Sequence, residues 1–329
     1  MSALAPTLQA FFTERLINQC RASGHTIAAY RDTFRLLLAF AAERTGIPPC
    51  RLDIADLDAP LIATFLDHLE QQRSNTVRTR NARLAAVHSL FTFAALQHPE
   101  HADDIARVLA IPTKRADQTV VTFLTDPEAE ALITSPDRST RTGRRDHAII
   151  TLAIQTGLRA TELVTLTHGD VHLGTGAHLR CHGKGRKDRT TPLTASTVTV
   201  LRAWLAERTG TRTDPVFPTN RGGLMSLDAL QQRIAHHAAT ASQRCPTLAN
   251  KKITPHTLRH TAAMRLLHAG ADITTIALWL GHESVETTQI YLKADLALKE
   301  RALAKTTPLT SKPGRYQPSD QLLAFLESL

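Results

Sequence analysis

The chain has 329 residues, a length that predicts roughly two domains, and 42% of its residues are hydrophobic, enough for packed cores. Its 39 Lys and Arg residues exceed its 30 Asp and Glu residues, so the formal net charge is +9. This balance excludes a disordered chain, a collagen-like repeat and a disulfide scaffold. It favours a polyanionic partner, with nucleic acid ahead of an acidic membrane surface.

The excess positive charge lies in one part of the chain. Residues 1–111 contain 11 basic and 11 acidic residues, whereas residues 112–329 contain 28 basic and 19 acidic residues. The second part therefore carries the whole net charge.

Cysteine usage and hydropathy favour the cytoplasm. The four cysteines, Cys20, Cys50, Cys181 and Cys245, contain no CxxC pair, which indicates reduced thiols rather than a zinc site or a disulfide framework. The N-terminus lacks the basic and apolar regions of a signal peptide, and the uncharged stretch 84–99 is too short to cross a bilayer. We therefore expect a cytoplasmic protein with no membrane partner.

Residues 1–111 predict a helical domain. Apolar residues recur at helical spacing over 27–41 and again over 61–69, where Pro60 suits the first turn of a helix. A third helix is predicted from Thr76 to Leu96. The start of this helix is basic, and no acidic residue lies between positions 70 and 100. A solvated surface and a phosphate contact both fit such a run, and we take four residues as candidate DNA contacts: Arg73, Arg78, Arg80 and Arg83.

A linker and a second domain follow. Residues 112–122 combine Pro, adjacent basic residues and polar residues, which is typical of a linker. Thr125 and Glu128 then have capping-box spacing with Pro127 inside the first turn, so a domain over 123–305 begins here. Residues 306–329 form a tail, and its apolar residues within 320–329 predict a short helix suited either to docking on a neighbouring protomer or to packing on its own domain.

The second domain is predicted to be helical around a small antiparallel sheet. Short apolar segments with Gly-rich joints predict the strands at 170–173, 178–182 and 189–193. Helical patterns occupy 146–158, 195–208, 226–241, 255–269, 272–280 and 284–305.

Five segments of this domain carry residues suited to phosphate chemistry. They are TGLRATEL, HGKGRKDRTTPL, TPHTLRHTAA, LGHES and TTQIY. Each segment by itself is weak evidence for a function. For example, a chain with this many His and Arg residues is expected to contain about 1.5 HxxR patterns by chance. The ordered set is more specific, and it selects Arg159, Lys184, His256, Arg259, His282 and Tyr291.

This ordered set resembles the tyrosine recombinases, the phage integrase and Xer-type family. The N-terminal segments TIAAYRDTFRLLLAF and NTVRTRNARLAAVHSLFTFA look like the helical core-binding domain of that family. The resemblance covers residues 8–305 and implies a mainly α fold with a small antiparallel β-sheet in the C-terminal domain. It also implies that the two domains clamp duplex DNA.

The implied reaction is transesterification at a DNA phosphodiester. Arg159 and Arg259 would stabilise the charge that gathers on the non-bridging oxygens, and His282 would donate to one of them. Tyr291 would attack phosphorus, with His256 as its base or hydrogen-bond partner and Lys184 protonating the leaving 5′-oxygen. The resulting 3′-phosphotyrosyl link keeps the ester, so no ATP, metal or other cofactor is expected.

The resemblance also implies partners. We expect double-stranded DNA with a specific recombination site, a homotetramer acting on two DNA segments, and in some systems a partner recombinase. The absence of an extra N-terminal domain favours an Xer-like, transposon-borne or integron-like enzyme, and the sequence leaves these open.

The sequence also allows other functions. A type IB topoisomerase or a telomere resolvase would use the same chemistry, and a non-catalytic DNA-binding relative would use the same fold. A metal-dependent nuclease built on His256, His260 and His282 would lack the acidic cluster that binds Mg²⁺. We expect His260 either to pack in the core or to support a residue of the site from behind, and Glu162 to orient its own helix or a neighbouring cation.

Overall fold

A computed structural model describes residues 4–116, 121–183, 188–207, 210–282, 284 and 287–294. The chain divides into two compact units, Met1–Gln118 and Thr119–Leu329, here called the N-terminal and C-terminal units. None of the described helices is long and apolar enough to cross a membrane.

The described part of the N-terminal unit is entirely helical. Its α-helices are α1 (Leu4–Ala10), α2 (Gly24–Thr45), α3 (Ala59–Gln71), α4 (Val77–Ala95) and α5 (Ala102–Leu109), and a π-helix, Phe11–Gln19, continues α1. Shorter 3₁₀ turns cover Pro49–Arg51 and Pro99–His101.

Capping residues explain where the two central helices begin. Asp58 Oδ1 accepts a hydrogen bond from the backbone N–H of Leu61 at 2.8 Å, so α3 starts beside Pro60 as predicted. Thr76 caps α4 in the same way, which confirms the helix expected from Thr76 to Leu96. The helices enclose one apolar core in which Phe11 packs against the rings of Tyr30 and Phe34.

The first residues of the predicted linker form hydrogen bonds with the N-terminal unit. Asn81 donates from Nδ2 to the carbonyl of Lys114 at 2.7 Å and accepts from its backbone N–H at 3.1 Å. The Lys114 ammonium lies 2.5 Å from Glu70, and Arg80 donates to the carbonyl of Pro112 at 3.0 Å. Residues 112–114 of the predicted linker 112–122 are therefore held against the N-terminal unit.

The described residues of the C-terminal unit form eight α-helices, two 3₁₀ turns (His168–Asp170 and Pro246–Asn250) and three strands. The helices are α6 (Asp126–Thr134), α7 (Arg141–Thr156), α8 (Ala160–Thr165), α9 (Ala195–Ala206), α10 (Leu227–Ser242), α11 (Pro255–His268), α12 (Ile273–Leu280) and α13 (Gln289–Ala294). The strands are β1 (Val171–His172), β2 (His178–His182) and β3 (Asp188–Pro192), in antiparallel order β1-β2-β3. The expected fold class, mainly α with a small antiparallel sheet, is confirmed.

Local sequence explains most of these boundaries. The capping box predicted at Thr125 and Glu128 is present at the start of α6. Helix α7 begins earlier than expected, at Arg141, because Thr140 caps it. It ends at Gly157, whose φ of 65° is the left-handed conformation that glycine favours.

The prediction of a helix over 284–305 is wrong at its start. In the described residues α13 begins only at Gln289. Thr288 precedes it, and its hydroxyl lies 2.7 Å from Nδ1 of His282. The predicted continuation beyond residue 294, the tail 306–329 and its helix at 320–329 lie outside the described residues.

Candidate active site

The site begins at the N-terminus of α8, where Glu162 holds Arg159. Glu162 Oε2 accepts from the backbone N–H of Arg159 at 2.7 Å, and Oε1 lies 3.1 Å from Nη1 of the same residue. The three-residue spacing within one turn allows both contacts. The Arg159 side chain keeps 33% of its surface exposed, so it remains accessible to a ligand.

Arg259 reaches the same place from α11. It is buried, with 4% of its surface exposed, and it donates to the carbonyls of Gly157 at 2.6 Å and Leu280 at 2.7 Å. These carbonyls lie at the C-terminal ends of α7 and α12, where the helix dipoles favour a cation. Arg159 Nη2 donates to the next carbonyl, that of Gly281, at 2.6 Å. The two guanidinium groups thus donate to the carbonyls of consecutive residues, Leu280 and Gly281.

The two cations influence each other. Burial and the nearby charge of Arg159 lower the pKa of Arg259 to about 10, so it stays charged at neutral pH. Glu162, which pairs with Arg159, also binds a third arginine, Arg189, so this one carboxylate does not balance the charge of the three arginines. This arrangement favours an anionic ligand.

Tyr291 is buried on α13, with 1% of its surface exposed. Its hydroxyl lies 3.0 Å from Nδ1 of His260, and its ring stacks near that of His282 with centroids 6.4 Å apart. Burial raises the pKa of Tyr291 to about 12, although Arg259 acts in the opposite direction. The phenol is therefore protonated in this arrangement.

The three histidines around Tyr291 have different environments. Burial, and then the charge of His256 and Arg259, lower the pKa of His260 to about 4, so its ring is neutral at physiological pH and shares a hydrogen bond with the phenol. His256 packs on His260 with ring centroids 4.1 Å apart, and no contact of its own with Tyr291 is described. Burial and the two arginines also lower the pKa of His282 to about 4. The sequence left open whether His260 packs in the core or supports the site, and it did not predict this contact with Tyr291.

The β2–β3 hairpin approaches the same site, but its predicted lysine lies outside the described residues. Lys184 is in the segment 184–187, between the ends of β2 and β3. Beside that segment, His182 lies 3.2 Å from Asp170 and 2.9 Å from Asp188. Both carboxylates raise the pKa of His182, with Asp188 acting more strongly.

Sequence reasoning also missed Arg189, which lies on β3. Its guanidinium donates to both oxygens of Glu162 at 2.8 Å each, and its Nε donates to the carbonyl of Trp279 at 3.1 Å. The local sequence does not distinguish Arg189, because a basic residue in a short polar edge strand is typically solvent-exposed.

The four arginines proposed as DNA contacts differ in exposure. Arg73 and Arg78 are exposed. Arg80 has only 5% of its surface exposed and binds the carbonyl of Pro112, so in this structure it fixes the linker rather than facing solvent. Arg83 is half-buried, and burial followed by the charge of Arg73 lowers its pKa. Among the described residues, no group of three or more His, Cys, Asp or Glu side chains is arranged to hold a metal ion.

Comparison with known families identifies the fold. The profile of the Phage integrase family matches residues 122–297, and the profile described as Phage integrase, N-terminal SAM-like domain matches residues 10–98. The chain belongs to the phage integrase family. The predicted membership in the tyrosine recombinases is confirmed. This family consists of site-specific DNA recombinases, and we refer to the protein below as the recombinase.

Individual relatives agree with this assignment. A Sinorhizobium fredii protein named integrase/recombinase y4rC is 55% identical over 100% of the recombinase and 99% of its own length. Tyrosine recombinase XerC of Pelobacter propionicus is 32% identical over 88% of the recombinase and 92% of its own length. A solved structure of the XerH recombinase bound to its difH substrate has a TM-score of 0.66 at 24% identity, covering 83% of the recombinase and 79% of that chain, which shows the shared fold.

Proposed function

We propose that the recombinase cuts and rejoins DNA at a specific site through a covalent link between Tyr291 and a 3′-phosphate. The observation that carries this proposal is the convergence of Arg159 and Arg259 on adjacent carbonyls, next to a tyrosine held by a neutral histidine. Two guanidinium groups at one point suit the non-bridging oxygens of a phosphodiester, which gain negative charge in the transition state.

The reaction balances with the residues of this chain. The Tyr291 oxygen forms a bond to phosphorus and gives its proton to a neighbouring histidine, for which His256 and His260 are the candidates. The bond from phosphorus to the 5′-oxygen breaks, and Lys184 protonates that oxygen. Attack by a 5′-hydroxyl reverses these steps and rejoins the strand, so neither ATP nor a metal ion enters the scheme.

We expect the DNA-bound arrangement to differ from the one described. Tyr291 has 1% of its surface exposed, so a phosphate cannot reach its hydroxyl there. Arg159, at 33% side-chain exposure, is the group that an incoming phosphate meets first. We therefore infer that phosphate binds at Arg159, and that movement of α13 then brings Tyr291 to phosphorus.

The substrate and the assembly follow from the family. We propose a homotetramer on two double-stranded DNA segments, with the tail 306–329 docking onto a neighbour, and we expect it to act in the cytoplasm because its substrate is DNA. The 55% identity to an integrase/recombinase, against 32% to XerC, favours a mobile-element recombinase over chromosome-dimer resolution. A partner recombinase would belong to the same element.

A nicked suicide substrate tests the chemistry. Duplexes that bind the full chain are first selected from a random pool, and a nick placed beside each candidate phosphate traps the covalent adduct. We expect an adduct in excess EDTA with the native protein and none with Tyr291→Phe, while Tyr291→Phe still binds the duplex.

Other outcomes would overturn the proposal. An adduct with Tyr291→Phe would reject Tyr291 as the nucleophile, and cleavage that EDTA abolishes would indicate a metal-dependent nuclease. Relaxation of any supercoiled plasmid without a selected site would indicate a type IB topoisomerase. Site binding without any adduct would indicate a non-catalytic relative.

A further inference from the structure

Arg189 forms a buried ion pair at the centre of the site. Its Nη1 and Nη2 donate to Oε1 and Oε2 of Glu162, each at 2.8 Å, in the paired geometry that is strongest for Arg and a carboxylate. The side chains are 11% and 6% exposed. A pair this well buried is poorly screened, so the removal of one partner leaves an uncompensated charge.

Glu162 links Arg189 to Arg159. The same two oxygens that bind Arg189 also bind the guanidinium and the backbone N–H of Arg159, at 3.1 Å and 2.7 Å. Burial alone would raise the pKa of Glu162, but the hydrogen bonds and charge of Arg189, together with Arg159, lower it to about 2. Glu162 is therefore ionised at every pH at which the protein is expected to work.

An ionised Glu162 without Arg189 would oppose the proposed function. It would neutralise Arg159, the residue that an incoming phosphate meets first, and would repel the phosphate itself. With Arg189 present, the three side chains carry a net charge of one positive unit, and that charge is available on the exposed edge of Arg159.

Arg189 also joins the hairpin to the end of α12. Its Nε donates to the carbonyl of Trp279 at 3.1 Å. A Cβ on Gly281 would lie 3.0 Å from Nη1 and 3.1 Å from Cδ of Arg189, so the guanidinium packs directly on this glycine. The Gly281 carbonyl is itself the acceptor for Arg159. One side chain from β3 thus contacts both groups that hold Arg159.

We propose that Arg189 is a positioning residue for the strand-cleavage reaction, which acts by neutralising Glu162 and holding it so that Arg159 keeps its orientation and its charge for the DNA phosphate. This inference rests on the proposed function, and it assigns Arg189 no contact with DNA. The hairpin that carries Lys184 is anchored by the same side chain.

Four variants of the full chain test this role on the nicked substrate. Arg189→Met removes the charge at similar length, Glu162→Gln removes the carboxylate, and the double variant Arg189→Met/Glu162→Gln removes both. Arg265→Met is the matched control, because Arg265 is 50% exposed and pairs with an exposed Asp126 on the same unit. Adduct rate, duplex affinity and thermal melting are measured for each.

We expect Arg189→Met to slow adduct formation on the order of 10²-fold, since misplacement of a reacting group by about 1 Å has an effect of that size. The double variant should recover at least tenfold of that loss, because no uncompensated carboxylate remains. Arg265→Met should react like the native protein. A role in packing alone would not be rescued by a second substitution at Glu162.

The outcomes separate the two proposals. If the native protein and Arg265→Met form no adduct, the proposed function fails. If they form it and Arg189→Met is equally fast, or the double variant is no faster than Arg189→Met, the role of Arg189 is overturned. Should Arg189→Met fail to fold, Arg189→Lys keeps the charge but loses the paired geometry, and a native rate for that variant would overturn the role.

Discussion

The hydroxyl oxygen of Tyr291 lies 3.0 Å from Nδ1 of His260, in a site where the tyrosine has 1% of its surface exposed. A buried hydroxyl without a partner costs about 1–3 kcal/mol. His260 therefore stabilises the buried position of Tyr291.

The first prediction concerns this pair. We expect His260→Leu to lower the free energy of unfolding by about 1–3 kcal/mol, because the Tyr291 hydroxyl loses its partner. In the His260→Leu background, Tyr291→Phe should cost less than it does in the native protein, and denaturant unfolding of the four proteins measures the difference. Tyr30→Phe, in the other unit, is the control. Additive effects of the two substitutions would contradict the contact.

The second prediction is a pH dependence of stability. The pKa values of His260 and His282 are lowered to about 4, below the ordinary value of 6.5, because burial and nearby cations disfavour their charged forms. The unfolded chain therefore binds more protons between these values, so stability is complete above pH 6.5 and falls as the pH drops toward 4. Thermal melting from pH 8 to pH 4 should show this fall.

Glutamine variants check the origin of that fall. In His260→Gln and His282→Gln the decrease between pH 6.5 and 4 should be smaller than in the native protein, since neither side chain titrates. His268→Gln, at the end of α11, is a control for which the native decrease is expected. An unchanged decrease in both site variants would place the effect elsewhere.

Much of the fold was predictable because its signals are local. Thr76, Thr125 and Pro60 set helix starts through contacts within one turn, and those elements are confirmed. The spacing of His256 and Arg259 on α11 likewise places both on one helix face.

The rest depends on contacts distant in sequence. His260 follows His256 by four residues and shares its face, so only the approach of α13 decides which ring contacts Tyr291. Arg80 belongs to a basic run, yet the return of the chain at Pro112 buries it. Arg189 and Glu162 are 27 residues apart, and no local pattern connects them.

The third prediction distinguishes the two arginines proposed to bind the phosphate, Arg159 and Arg259. Arg159→Lys should slow adduct formation on the order of 10²–10³-fold with little change in stability, because its side chain is 33% exposed. Arg259→Lys should reduce both the rate and the melting temperature, since Arg259 links the ends of α7 and α12 through two carbonyls. Equal melting temperatures for the two variants would contradict this structural difference.

The fourth prediction concerns Gly157. Its φ of 65° disfavours any side chain, and a Cβ there would lie 2.6 Å from Cδ2 of Leu280. We expect Gly157→Ala to lower the free energy of unfolding by roughly 1–3 kcal/mol, measured by denaturant unfolding. Gly174→Ala is the matched control, because its φ is not positive and nothing lies within 4 Å of the added Cβ. Similar losses in both variants would refute the strain argument.

The fifth prediction concerns the start of the linker, where Asn81 forms hydrogen bonds to both the N–H and the carbonyl of Lys114. Each such bond contributes roughly 0.5–1.5 kcal/mol, so Asn81→Ala should make this segment open about tenfold more often. Because limited proteolysis follows the open population when closing is fast, trypsin should cleave after Lys114 and Arg115 about tenfold faster, as followed by mass spectrometry. Gln71→Ala, an exposed change on α3, should leave the rate unchanged. Cleavage of Asn81→Ala at the native rate would show that other contacts hold this segment.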